Sequence, residues 1–256
     1  MATAGALAQA GHAVRIVLVV RSHDAALAGV HRDFHLSAGA DAVVASGDAA
    51  EGDADWVIDG KANEFWWPRG GGSLKDVLAS VPARYGSVQA VVRHLVPASG
   101  EEGSVVERTI YRLSPNASLD NAWRPIRRFV RRSRSTGPPL RGWYPIEVLQ
   151  LVTDAPPPFT RDALERGCAD GLVQVDTRLR DALRAIGAGR SPEFPRPDVL
   201  DEAEFALDVA ALGEADVLQA HVRLDELEAR LAAVESTLPE MVKRKLRTLA
   251  RRSGRT

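Results

Sequence analysis

One cysteine, no long apolar run and no surplus of either charge set limits on this chain of 256 residues. Cys168 has no second thiol to pair with, which excludes an internal disulfide and a thiolate metal cluster. Gly167 and Ala169 beside it bring no charge to activate the sulfur, so a small apolar filler is expected. The longest apolar run near the start, Ile16 to Val20, is closed in by Arg15 and Arg21. Crossing a bilayer takes about 20 apolar residues, so this run is expected as a buried strand. Met1 to Ala13 lacks the basic start of a secretory leader, and a cytoplasmic location is expected. Lys+Arg 33 against Asp+Glu 34 leaves a formal charge of −1, so no global field favours nucleic acid as a partner. His12, His31, His94 and His221 have no metal-ligand spacing. Gly70-Gly71-Gly72 is followed by no Gly-Lys-Ser/Thr and reads as a turn, and no Gly-x-Gly-x-x-Gly marks a dinucleotide fold.

What is present is an ordinary globular composition, 45% hydrophobic and 26% charged, sufficient for a normal core. Leu7 to His12 reads as a helix end stopped by Gly11, and Arg15 to Val20 as a strand. Ala25 to Ala38 has helical spacing with Gly39 as its cap, while Ala42 to Ala45 and Trp56 to Ile58 are short strands. Leu74 to Val81 predicts a helix, Val88 to Val96 a strand, and Val105 to Leu113 a half-exposed strand by its two-residue alternation. Trp143 to Val152 predicts another strand, and Asp162 to Gly171 and Arg178 to Ile186 predict helices. Strands alternating with helices argue for an α/β layer fold.

Several phrases carry a family resemblance. Val20-Arg21-Ser22-His23-Asp24 follows a strand, and Phe34-His35-Leu36-Ser37-Ala38-Gly39-Ala40-Asp41 follows on a helix. Asp55-Trp56-Val57-Ile58 precedes Glu64-Phe65-Trp66-Trp67-Pro68, and Pro145-Ile146-Glu147-Val148-Leu149 and Asp176-Thr177-Arg178-Leu179 come later. In this order the set resembles bacterial family 2 glycosyltransferases. The resemblance implies a GT-A-like (Rossmann-like) mixed sheet flanked by helices, with a nucleotide-sugar donor at the carboxyl ends of the strands. It also implies an Asp-x-Asp pair holding a divalent cation, Mn or Mg, that neutralises the diphosphate leaving group. Transfer would go from the nucleotide-sugar to the hydroxyl of an acceptor.

The chain departs from that pattern where the chemistry is concentrated. Lys61-Ala62-Asn63 stands where the family has its acids, and a hard divalent ion prefers anionic oxygen. Ser46 to Asp53 is a short stretch where the family has a longer nucleotide-contacting one, Gln150 follows the Pro-Ile-Glu-Val-Leu phrase, and His23 replaces an acid. The candidate catalytic residue is Glu64, the candidate nucleotide-sugar contacts are Arg21, Asp24, Lys61 and Asn63, and no metal ligands are assigned. Arginines at 124, 127, 128, 131, 132 and 134 could supply charge in a metal's place, since a guanidinium grips phosphate bidentately. His35 is expected as a satisfied helix histidine, and Trp66 and Trp67 are expected to pack under the sheet edge.

The chain divides by composition into a transferase-like domain over 1–190, a Pro-rich and acidic linker over 191–213, and a coiled-coil helix with a basic tail over 214–256. Val217, Ala220, Leu224, Leu227, Leu231, Val234, Leu238 and Met241 alternate three and four apart, the seam of a coiled coil. That seam predicts a homo-oligomer through 217–241, and the basic end, from Lys243 to Arg252, suits an anionic membrane surface. Two functional readings stay open: a glycosyltransferase with reduced or metal-independent activity, and a catalytically inactive relative working as an assembly protein through its coiled coil.

Overall fold

The computed structural model describes residues 14–21, 27–45, 48, 53–99, 104–114, 126–152, 159–196 and 202–213. The elements in chain order are β1 (Ile16–Val20), α1 (Ala28–Ser37), β2 (Ala42–Ala45), β3 (Trp56–Gly60), β4 (Glu64–Pro68), α2 (Leu74–Ala79) and β5 (Ser87–Pro97). They continue with α3 (Val105–Arg108), β6 (Thr109–Leu113), β7 (Ile126–Arg132), β8 (Pro139–Leu140), β9 (Ile146–Leu151), α4 (Arg161–Ala169), β10 (Val173–Val175) and α5 (Arg178–Gly187). Residues 202–213 form a further helix, α6. This is an α/β fold with a mixed, curled sheet flanked by helices. By contacts the chain divides into two compact units, Met1–Val209 and Ala210–Thr256, and of the second only 210–213 are described. Among the described residues no helix is long and apolar enough to cross a membrane.

The sheet runs β10-β6-β5-β7-β3-β1-β2, with β1 parallel to both β2 and β3 and β7 antiparallel to β3. The eleven-residue β5 is the branch point. Its Ala90 pairs with Arg128 of β7 and also with Ile146 of β9, so the two strands lie on opposite edges of β5. Strand β9 then carries β4 antiparallel on its far side, from Glu64↔Gln150 to Pro68↔Ile146. Nearly every residue of β1, β3, β4 and β9 is buried, and the predominance of apolar residues in them suits strands covered on both faces.

The main core gathers Ile16, Leu18, Trp56 and Ile58 from the sheet with Phe34 of α1, Leu74 and Leu78 of α2, and Leu179 and Leu183 of α5. An aromatic knot lies within it. Phe34 meets Phe65 edge-on at 5.2 Å between centroids, and Trp67 meets Phe194 at 4.8 Å. Trp66 and Trp67 are fully buried, in accord with their expected packing.

Three expectations need correction. Residues Val105–Arg108 form a helical turn and only Thr109–Leu113 a strand. Ser104 Oγ accepts from the Glu107 amide and Thr109 Oγ1 donates to the Val105 carbonyl, so local side-chain bonds outweigh the alternation there. The strand within Trp143 to Val152 starts at Ile146, and Glu64–Pro68, carried above only as a phrase, is strand β4. The segment expected as a linker, 191–213, holds packed structure: Phe194 is in the aromatic knot, and the 202–213 helix buries Phe205 and Asp208. The expected helix at Leu7 to His12 and the coiled coil over 214–256 lie outside the described residues.

Candidate functional site

Strand β1 is the place where the chain changes direction across the sheet. From β1 it passes to β2 on one side, then returns to β3 on the other, so the connections diverge above the carboxyl ends of β1 and β3. In open α/β sheets that divergence forms the crevice where ligands bind. Val20 pairs there with Gly60, and the Arg21 amide donates to the Gly60 carbonyl at 3.0 Å.

Alternation along the strands decides what faces the crevice. On one face Val17 and Val19 of β1 and Val57 of β3 are buried, and two residues further along come Arg21 and Asp59. Asp59 accepts from Arg21 Nε at 3.2 Å and Nη2 at 2.9 Å, and from Arg131 Nη2 of β7 at 2.7 Å. Partial burial alone would raise its carboxyl, but the hydrogen bonds and charges of Arg21 and Arg131 outweigh that and hold it below the ordinary value. Lys61, exposed, follows at the end of β3. Phe129, exposed and two residues from Arg131, shares this face by strand alternation.

The tight turn after β3 belongs to Glu64. Its Oε2 accepts from the Lys61 amide at 3.1 Å, and its Oε1 accepts from Arg128 Nε at 3.2 Å and Nη2 at 2.8 Å. Glu64 is 1% exposed, so the candidate catalytic carboxylate is a buried clamp with both oxygens engaged. Asn63 is similarly occupied: its Nδ2 donates to the Leu151 carbonyl at 2.7 Å while its own carbonyl accepts the Leu151 amide at 2.8 Å. It ties the turn to β9 instead of reaching toward a ligand. A Cβ at Gly60 would lie 3.0 Å from Trp66 Nε1, so a side chain there would have to push the indole aside. Asp24 lies outside the described residues.

The structure thus gathers Arg21, Lys61 and Glu64 of the sequence candidates around one strand end, and adds Asp59, Arg128 and Arg131. Arg128 and Arg131 stood in the noted arginine run, but their opposite faces could be read only once that run was known to be a strand. A divalent cation does not fit these donors. Asp59 and Glu64 are each engaged by guanidinium groups, Lys61 brings positive charge, and among the described residues no group of three or more His, Cys, Asp or Glu is arranged to hold a metal ion.

Beneath the site, α1 is pinned to β4 by two buried histidines. His35 Nε2 accepts the Trp66 amide at 3.1 Å, which leaves the proton on Nδ1 to be donated to the His31 carbonyl at 2.7 Å. His31 Nε2 lies 3.0 Å from the Glu64 carbonyl. Burial, with the neighbouring His31 second, holds the His35 imidazole well below its usual range.

A second set of charges is centred on buried groups, and sequence reasoning did not find it. Glu147 of β9, with no exposed surface, accepts from Arg93 of β5 at 3.0 Å and from Arg178 of α5 at 2.5 Å, with Arg69 at 3.8 Å. Asp208 of α6 accepts from Arg93 at 2.5 Å, and Glu202 and Glu204 of the same helix pair with Arg69 and Arg112. The available signal was Arg93 within the apolar run Val88 to Val96, since a charge inside a buried strand needs an internal partner. No family model matches the chain, and neither does any curated protein or solved structure.

Proposed function

We propose that this is a glycosyltransferase-like protein of GT-A type that takes the diphosphate of a nucleotide-sugar on side-chain cations in place of a metal. The observation that carries the reading is the convergence of Arg21 and Arg131 on Asp59 at the carboxyl ends of β1 and β3, with the exposed Lys61 following directly after β3. Arg128 and Glu64 neutralise each other on the other face, so Arg21, Lys61 and Arg131 against Asp59 leave two positive charges at this strand end. A nucleoside diphosphate is the complement of such a site.

The chemistry needs little more than charge and position. The acceptor oxygen bonds to the anomeric carbon as the bond from that carbon to the diphosphate breaks, and the acceptor's proton passes to solvent. Negative charge grows on the departing diphosphate, where pre-positioned donors are worth most. Removing one pre-positioned donor to a developing oxyanion costs about 3–4 kcal/mol of transition-state stabilisation in enzymes where it has been measured. Lys61, standing where the resembled family has an acid, is the natural cation for the bridging region. Glu64 serves as a positioning residue, holding Arg128 and the Lys61 turn.

The test is calorimetric titration of the full chain with UDP-, GDP- and CDP-sugars, with and without manganese. Binding independent of manganese and lost in Lys61→Ala is the expected result. Folded protein that gives no heat with any of these nucleotides would sink the reading and leave the assembly role through residues 217–241.

A further inference from the structure

At the opposite end of β4 and β9 from the cationic crevice, the sheet borders a cavity of about 700 Å³. Along β4 it lies roughly 16 Å from Glu64, at about 3.3 Å per residue. Its wall is built from the 69–72 loop, α2, the 142–145 segment, Arg196 and α6. No residue of the crevice lines it.

The loop explains its glycines. Gly71 and Gly72 hold φ of +76° and +78°, where a side chain is strained. A Cβ at Gly72 would lie 2.8 Å from Asp76 Oδ2, and one at Gly71 would press on the Arg196 side chain at 3.1 Å. Arg196 Nε donates to the Gly70 carbonyl at 3.0 Å, which fixes its guanidinium on the wall. Gly142, at φ +72°, turns the chain immediately before Trp143. Trp143 is 38% exposed, a large aromatic surface open to solvent, whereas Trp56, Trp66 and Trp67 are all buried. Tyr144 stands beside it, edge-on to Phe205 at 6.4 Å, and Arg69 lies over the Phe205 ring at 3.4 Å.

The charges on the wall cancel: Arg69 and Arg196 stand against Asp76 and Glu202. A diphosphate or an ammonium ligand would leave its own charge unmatched here. Planar carboxylate and guanidinium groups beside an open indole suit a ligand with adjacent hydroxyls around its edge and an apolar C–H face. The size lies within the usual range for small-molecule pockets, about 300–1,000 Å³.

We infer that this cavity is a binding site for a neutral carbohydrate, a mono- to trisaccharide unit stacked on Trp143 with its hydroxyls on Asp76, Ser80, Arg196 and Glu202. The site is independent of the nucleotide reading, because it shares no residue with the crevice.

The experiment is saturation-transfer NMR, with tryptophan fluorescence alongside, on the full chain with maltotriose, chitotriose and xylotriose and no nucleotide. At least one trisaccharide binds saturably in the millimolar range, with little change between low and high salt, as a neutral ligand requires. Trp143→Ala and Arg196→Ala each weaken that binding about tenfold or more. Trp143→Phe restores part of it, which separates lost stacking from a damaged fold, and Lys61→Ala leaves it unchanged. The inference is overturned if none of the three sugars binds, if binding survives both Trp143→Ala and Arg196→Ala, or if it falls steeply with salt.

Discussion

Replacing His35 with phenylalanine tests how α1 is held beneath the crevice. The ring has no exposed surface, and its two nitrogens bridge the Trp66 amide on β4 and the His31 carbonyl on α1. Among the described residues strand β4 pairs only with β9, and the Trp66 amide turned toward α1 is met by His35 instead of a strand. Phenylalanine fills the space but leaves that amide buried and unsatisfied, which costs about 1–3 kcal/mol, with about 1 kcal/mol more for the second bond. His35→Phe is therefore expected to lose about 2–4 kcal/mol of unfolding free energy near pH 7.5, read from urea denaturation.

The same substitution has a pH signature. Burial lowers the folded-state pKa of His35, so as pH falls the unfolded chain takes up the proton first, near the ordinary value of about 6.5. Stability is unaffected above that pH. Below it, stability falls by up to about 1.4 kcal/mol per pH unit for His35, until the folded-state pKa is reached. His31, also lowered chiefly by burial, adds a share of the same sign. In His35→Phe the decline between pH 6.5 and 5 becomes shallower by the His35 share. A cost below about 0.5 kcal/mol at pH 7.5, or an unchanged slope, would refute the buried neutral tautomer.

Two further substitutions probe the charges. Glu147→Ala strips Arg93 and Arg178 of a fully buried anion and is expected to cost about 3–5 kcal/mol, seen as a lower urea midpoint. Asp59→Asn removes the anion that Arg21 and Arg131 share; at this partly exposed pair stability should move by no more than about 1 kcal/mol, while calorimetry should show UDP binding several-fold tighter. Weaker or unchanged UDP binding in Asp59→Asn would count against the crevice as a diphosphate site.

Much of the scaffold was legible because burial writes itself into local composition. Ile16–Val20, Ala42–Ala45 and Trp56–Ile58 are strand-length apolar runs, and each lies in a strand of the sheet. The helices α1 and α5 followed from three-to-four spacing, and α2 and α4 also lie where helices were expected. Val105–Arg108 misled because four residues of alternation also fit one helical turn, and a serine cap decided between them. The candidate site was half legible. Its position after β3 was expected, but the Asn63 side chain goes to a β9 carbonyl 88 residues away, and Glu64 is clamped by Arg128 from 64 residues away.

The sequence alone determined the period of the apolar strands and longer helices, the single thiol, and the cation standing at Lys61, because these depend on residues close in the chain. The tertiary structure decided which charges meet. Glu147 and Asp208 lie 54 and 115 residues from Arg93, the arginine they share, and the β5–β9 pairing brings the first to it while the packing of α6 brings the second. The same holds for the cavity beside Trp143, whose wall joins residues from 69 to 209. Local pattern follows from the chain's own periodicity, whereas a site depends on the register and order of strands, which long-range packing selects.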